Sequence, residues 1–152
     1  MLFLLLRRNT EDYHPEQILR KFSVIQSGDR FCRSICCQII KSIDDKKFIS
    51  EIVNYLNIII VNDKTMHTMR KKLQYQREAE YQDNFMILFQ AFKYNPAAAT
   101  SLCLLSKQYE LAYRILISFS IQLEMSQKIL VDFCKLAGLL ESPGFLRNID
   151  DI

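Results

Sequence analysis

The chain has 152 residues, of which 20 are basic and 17 acidic, for a formal net charge of +3. This length fits one domain, able to bury roughly 68–70% of its unfolded surface, and the charge is too small to imply nucleic acid. Only three glycines and three prolines are present, which argues against sandwiches and barrels, whose many turns consume both, and for long helices with plain connections.

The chain opens with "MLFLLLRRNTED", in which Arg7 and Arg8 follow the apolar run. A signal peptide carries its basic residues first, and a membrane span needs ~20 apolar residues. The segment therefore reads as the end of a buried helix. Pro15 and Gly28 bracket the next helix, with Ile18, Leu19, Phe22 and Ile25 at helical spacing and Gly28 just past its end. Asp29 is placed as the cap of "RFCRSICCQIIKSI", where Phe31, Ile35, Ile39 and Ile43 make the apolar face beside Cys32 and Cys36. Asp44 or Asp45 caps a longer helix that runs to about Val61, with a stripe of Phe48, Ile52, Val53, Leu56 and Ile59 or Ile60. Its last residues, "NIIIV", are β-branched, but they keep helical phase with Phe48 and Ile52 and have no partner strand. Asn54 and Asn57 interrupt the apolar run and argue against a membrane span.

Asp63 caps "KTMHTMRKKLQ", whose narrow apolar face is Met66, Met69 and Leu73, with Arg70, Lys71 and Lys72 outside. "YQREAEYQD" continues that helix or links it to "NFMILFQAFKY", which carries Phe85, Leu88, Phe89 and Phe92. Asn95 is a cap and Pro96 a first helical residue. Helices follow at 96–106, 108–121 and 126–141, and Ser142-Pro143-Gly144 breaks the last. Helix 108–121 has Leu111, Ala112, Ile115 and Phe119 on one face and Tyr109, Tyr113 and Ile117 towards others, so it is expected to be sandwiched between neighbours. About eight short helices with tight turns make the chain all-α, and their length suggests αα-hairpins stacked as a solenoid. No repeat is plain by eye, so a compact bundle stays open.

The residues offer no enzyme signature. Cys32, Cys36 and Cys37 lack the further ligands a zinc site needs, and His14 and His67 stand in no metal-ligating spacing. Cys103 and Cys134 lie on apolar helices, far in sequence from any histidine base. The five cysteines read as reduced thiols of a cytosolic protein. Gly28, Gly138 and Gly144 are too scattered for a phosphate loop. Asp44-Asp45 and Asp150-Asp151 suit capping and solvation. In "MRKKLQYQREAEYQ", Arg70, Lys71, Lys72 and Arg77 alternate with Tyr75 and Tyr81, which could face nucleic acid or an acidic membrane. Glu78 and Glu80 dilute that charge, and a solvated helix face is the reading taken. No cofactor is expected. Tyr109, Tyr113 and Arg114 are residue types that anchor partner interfaces, and are the candidate partner-binding residues.

"NPAAATSLCLLSKQYELAYRIL" followed by "LVDFCKLAGLLESPGF" resembles the C-terminal region of the vacuole-morphology scaffold family of the phosphatidylinositol 3,5-bisphosphate regulatory complex. "RFCRSICCQII", "KKFISEIVNYLNIII" and "MHTMRKKL" stand in the order of that region's earlier helices, so the resemblance covers most of residues 1–147. Its most specific residues are Asn95, Pro96, Ser101, Leu102, Cys103, Leu104, Leu105, Tyr109, Ala112, Tyr113, Leu139, Leu140, Glu141, Ser142 and Pro143, which are mainly packing types. The resemblance implies a HEAT-like α-solenoid without catalytic activity, one domain over 1–152, cut at both ends relative to the family. It implies binding of a Sac-type phosphoinositide phosphatase and recruitment of the FYVE-finger phosphatidylinositol 3-phosphate 5-kinase. It also implies a cytoplasmic protein, peripheral on vacuolar or endosomal membranes. The family self-associates largely through helices beyond Phe145, so a homo-oligomer is not carried over to this chain. The competing reading is a generic helical adaptor that shares only the architecture.

Overall fold

The computed structural model describes residues 15–25, 28–42, 44–75, 79–121, 127–143 and 145. The expectations for residues 1–6, His14, Ile43, Arg77, Glu78, Gly144, Asp150 and Asp151, and for the side chains of Phe22, Ile25, Glu80 and Tyr81, lie outside the described residues. Every regular element among the described residues is helical: α1 Pro15–Ile25, α2 Gly28–Ser42, α3 Lys46–Asn62, a single 3₁₀ turn Lys64–Met66, α4 His67–Gln74, α5 Ala79–Phe92, α6 Pro96–Leu105, α7 Tyr109–Ile121 and α8 Gln127–Leu140. None of them is long and apolar enough to cross a membrane.

The helices start where the chain offers a side-chain acceptor for orphan amides. Asp45 accepts from the backbone N–H of Lys47 and Phe48 at 3.1 Å, a cap typically worth ~1 kcal/mol. Asp63 accepts from the N–H and hydroxyl of Thr65 at 2.9 and 2.8 Å. Asn95 accepts from the N–H of Ala98 at 3.1 Å, and Pro96 fills the first helical position, which needs no donor. "NIIIV" is helical, as its phase required: Ile59, Ile60 and Val61 are buried on α3.

Two expectations at the second helix are corrected. Asp29 is no cap, because α2 already begins at Gly28; its carboxylate pairs with Lys72 of α4 instead. Gly28 is needed for close approach: a Cβ there would stand 2.7 Å from Met66 Sδ and 3.1 Å from the Thr65 carbonyl oxygen. Arg70 is also corrected. It points inward, is 8% exposed, and donates to the carbonyl oxygens of Ile60 at 2.7 Å and Asp63 at 2.8 Å. Ile60 lies in the last turn of α3, where carbonyls lack helical partners, so the guanidinium closes that helix end. Burial lowers the Arg70 pKa, and the Asp63 charge opposes that shift.

α1 packs on α3, α3 on α6 and α6 on α8, which makes one layer. α2 and α5 pack together behind it, cross-linked by Arg33 donating to the buried Asn84 at 2.8 Å. The hairpins are thus α1–α2, α3–α5 with the short α4 inserted, and α6–α7, a HEAT-like stack of paired helices. The core runs from Leu19 through Phe31, Ile52, Leu56 and Met69 to Phe92 and Leu102.

α6 is the hub, in contact with α3, α4, α5, α7 and α8. Its residues Ala97, Ala98, Ala99, Thr100 and Ser101 are all buried, and their small side chains let five helices approach one. α6 turns into α7 through a left-handed residue that is not glycine, Lys107 with φ 58°. The N–H of Gln108 donates to Cys103 O at 2.8 Å and that of Lys107 to Leu104 O at 3.2 Å. These are the paired bonds of a Schellman motif, and they satisfy the last carbonyls of α6.

Candidate partner-binding site

The fold exposes two surfaces suited to a partner. The first is on α7. Ala112 is buried against the hub, with Leu111, Ile115 and Phe119 half-buried beside it. The opposite face is open: Tyr109 is 57% exposed, Tyr113 60%, Leu116 44%, Ile117 40% and Ile121 72%. The expected sandwich is therefore corrected. Among the described residues α7 packs mainly on α6, along one side, and its second apolar stripe recurs at the spacing of a single helix face. Arg114 lies beside the stripe and is held by Glu110 at 3.1 Å, one turn away. Phe119 meets Phe133 of α8 with ring centroids 6.1 Å apart, and α8 adds exposed Leu130 and Val131. Exposed apolar residues gathered on one helix face suit an interaction site.

The second surface is a groove between α3 and α8, floored by the start of α6. Two adjoining recesses of about 280 Å³ each share Asn54, Asp132 and Lys135 in their linings. Asn95 organises the floor. Besides capping α6, its Nδ2 donates to the carbonyl and hydroxyl of Ser50 at 3.3 and 3.2 Å and to Asp132 Oδ2 at 3.4 Å. One amide therefore ties α3, α6 and α8 together. Asp132 is only 8% exposed, and its carboxylate accepts from the Asn95 amide at the start of α6. Lys128 reaches across the rim to Glu51 at 3.5 Å.

Most of the motif residues are buried or half-buried. Asn95, Ser101, Leu102, Cys103, Leu105 and Ala112 are buried; Pro96, Leu104, Leu139, Leu140 and Ser142 are half-buried; Glu141 and Pro143 are exposed. Ser142 donates to Leu139 O at 2.6 Å and accepts from the Phe145 N–H, which ends α8. The sequence reading did not single out Asn57 and Asp132, which both line one of the recesses. A signal for Asn57 was present: it lies three residues before Ile60 and four after Val53, so helical phase put an amide on the buried face of α3.

Among the described residues no group of His, Cys, Asp or Glu is placed to hold a metal ion. Burial raises the Cys32 thiol to about 12 and Cys103 to about 11, and pushes Cys36 well up. Thiolates are the reactive form, so N-ethylmaleimide at neutral pH is expected to modify exposed Cys134 and spare Cys32, Cys36 and Cys103 until the protein is unfolded. Mass spectrometry of native and denatured samples checks this, and early modification of Cys32 would contradict the described core.

A family model described as "Vacuolar protein 14 C-terminal Fig4p binding" matches residues 8–148. The chain belongs to this family. A protein VAC14 homolog of Schizosaccharomyces pombe is 32% identical over 128 residues, which cover 84% of this chain and 15% of its own. The vacuole morphology and inheritance protein 14 of Saccharomyces cerevisiae is 28% identical over 148 residues, covering 96% and 16%. A protein VAC14 homolog of Arabidopsis thaliana is 30% identical over 129 residues, covering 84% and 17%. The chain thus spans about one sixth of the length of these relatives. No solved structure matches it.

Proposed function

We propose that this chain is a non-catalytic scaffold segment that binds the Sac-type phosphoinositide phosphatase Fig4p and so regulates phosphatidylinositol 3,5-bisphosphate. The observation that carries the proposal is the match of residues 8–148 to a family described by its Fig4p binding. The open stripe of α7 supports it, because Tyr109 and Tyr113 offer rigid aromatic area beside Arg114, the residue types that dominate interface energetics. In this reading the scaffold acts peripherally on vacuolar or endosomal membranes. It assembles with the FYVE-finger phosphatidylinositol 3-phosphate 5-kinase through the longer protein that such relatives represent.

The test is capture of the cognate phosphatase by the purified chain, beside a Tyr109→Ala/Tyr113→Ala variant. The chain is expected to retain the phosphatase and the variant to lose it, with affinity lower by about thirtyfold or more, while its helical circular dichroism stays unchanged. Both tyrosines are mostly solvent-exposed, so their loss leaves the fold intact. No capture by the folded chain would refute the phosphatase reading. Capture that the variant retains would move the interface off α7.

A further inference from the structure

Two residues that stability alone would not choose face the same recess. Asn57 sits in the middle of α3, 3% exposed, and its carbonyl oxygen has no hydrogen-bond partner among the described residues. An unsatisfied buried polar group costs about 1–3 kcal/mol, and a leucine in its place would cost nothing of the kind. Gly138 sits inside α8, where glycine costs ~1 kcal/mol against alanine. A Cβ at Gly138 would meet nothing within 4 Å, so no crowding demands glycine. Both residues line the recess between α3 and α8, along with apolar Ile58, Leu136 and Leu139. One choice keeps an amide in the recess and the other keeps the recess open. Local departures from stable packing that converge on one cavity mark a binding site.

We propose that the α3–α8 groove binds an extended peptide segment of a partner protein. A carboxamide is the side chain that matches a peptide unit, because it offers one donor and one acceptor. Asn54 and Asn57 stand three residues apart on the α3 wall, on neighbouring positions of one helix face. Both line the recess, where a main chain entering it finds carboxamides to pair with and an apolar side chain of the peptide fills the space over Leu136 and Leu139. Lys135 on the facing wall sets an acidic residue beside it. The buried Asp132 and the rim residue Glu51 disfavour a phosphorylated headgroup as occupant. The inference goes beyond the phosphatase reading and does not require it, since any partner with such a segment fits.

The test uses the purified chain against a displayed library of random ten-residue peptides, with Asn57→Leu and Gly138→Leu variants. Enriched peptides are expected to bind the native chain and to bind each variant about tenfold or more weakly, the equivalent of one amide pairing or one filled subsite. Asn57→Leu is expected to unfold at the same temperature or higher, because it removes an orphan amide. A merely structural asparagine would not separate stability from binding in this way. No enrichment, or peptides bound equally by both variants, would overturn the proposal. Capture of anionic vesicles that the Gly138→Leu variant loses would overturn it in favour of a lipid. The phosphatase experiment on α7 is read separately, so either reading can fail alone.

Discussion

Asn95→Ala is expected to lower the free energy of unfolding by about 2–4 kcal/mol, the sum of a lost cap and a buried acceptor left unpaired. The cap contributes about 0.5–2 kcal/mol through the Ala98 N–H. The remainder comes from Nδ2, whose removal takes a donor away from Ser50 and from the buried Asp132 carboxylate. Two controls separate these parts. Asn95→Ser keeps a capping oxygen and cannot span to α8, so it should recover only the cap. Asn95→Asp keeps the cap but sets a second carboxylate 3.4 Å from the first. Ionised, the two repel, so this variant should be less stable at neutral pH. In acid one carboxyl takes up a proton and donates across the gap. Stability then rises as pH falls, opposite to the sense of an ordinary ion pair. Urea unfolding at pH 7 and pH 4 reads all of this. An Asn95→Ala variant as stable as the native chain would mean that α3, α6 and α8 are not joined at this amide.

The frame of the molecule was legible because it follows from local rules. Asp45, Asp63 and Asn95-Pro96 announce helix starts, and the period of Ile52, Leu56 and Ile59 announces which side of α3 is buried. What escaped were features that depend on a distant neighbour. Gly28 resembles a helix stop by its type, yet it is the first residue of α2, and what requires glycine there is Met66 and the Thr65 carbonyl standing where a Cβ would go. Arg70 stands in a run of three cations and was read as solvated. Its phase, four after Met66 and three before Leu73, placed it on the inner face, where the open carbonyls of α3 needed a donor. The break between α6 and α7 was placed at the right residue, but no glycine marks it, and the left-handed conformation of Lys107 was not legible. The candidate site divides in the same way. Tyr109 and Tyr113 were readable as interface types. The groove required α3 and α8 to meet, and they are separated by more of the chain than any local rule spans.

The hub explains why both candidate surfaces exist. α6 is built from small residues, so five helices pack on it closely and its own surface is used up. α7 and α8 both pack on α6, and each keeps exposed apolar residues that nothing among the described residues covers. Burial is thus concentrated in α3, α5 and α6, and many of the exposed large apolar residues fall on α7 and α8 at their flank. This division lets the surface residues change without loss of the fold, which is why the tyrosine variant is expected to fold.

Phe92→Ala is expected to cost about 3–5 kcal/mol, a large share of the ~5–15 kcal/mol that holds a domain of this size together. Phe92 is the last residue of α5, fully buried, and between it and Asn95 lie only two turn residues. Its carbonyl oxygen accepts from the Asn95 N–H at 2.9 Å, so the aromatic ring anchors the corner that presents the cap to α6. Phe89, half-buried and stacked on Phe85 at 5.6 Å, keeps part of its surface in water, and Phe89→Ala should cost distinctly less. The urea midpoint should fall for Phe92→Ala at unchanged slope, as a pure change in stability requires. Because Phe92 and Asn95 serve one corner, their effects should not add. Once the ring is gone the corner loosens, and the hydrogen bonds of Asn95 have less to hold. A double variant that loses about 1 kcal/mol less than the sum of the singles is the expected result. Strict additivity would mean that the α5–α6 corner and the α3–α6–α8 junction act independently, and that the hub is not a cooperative unit.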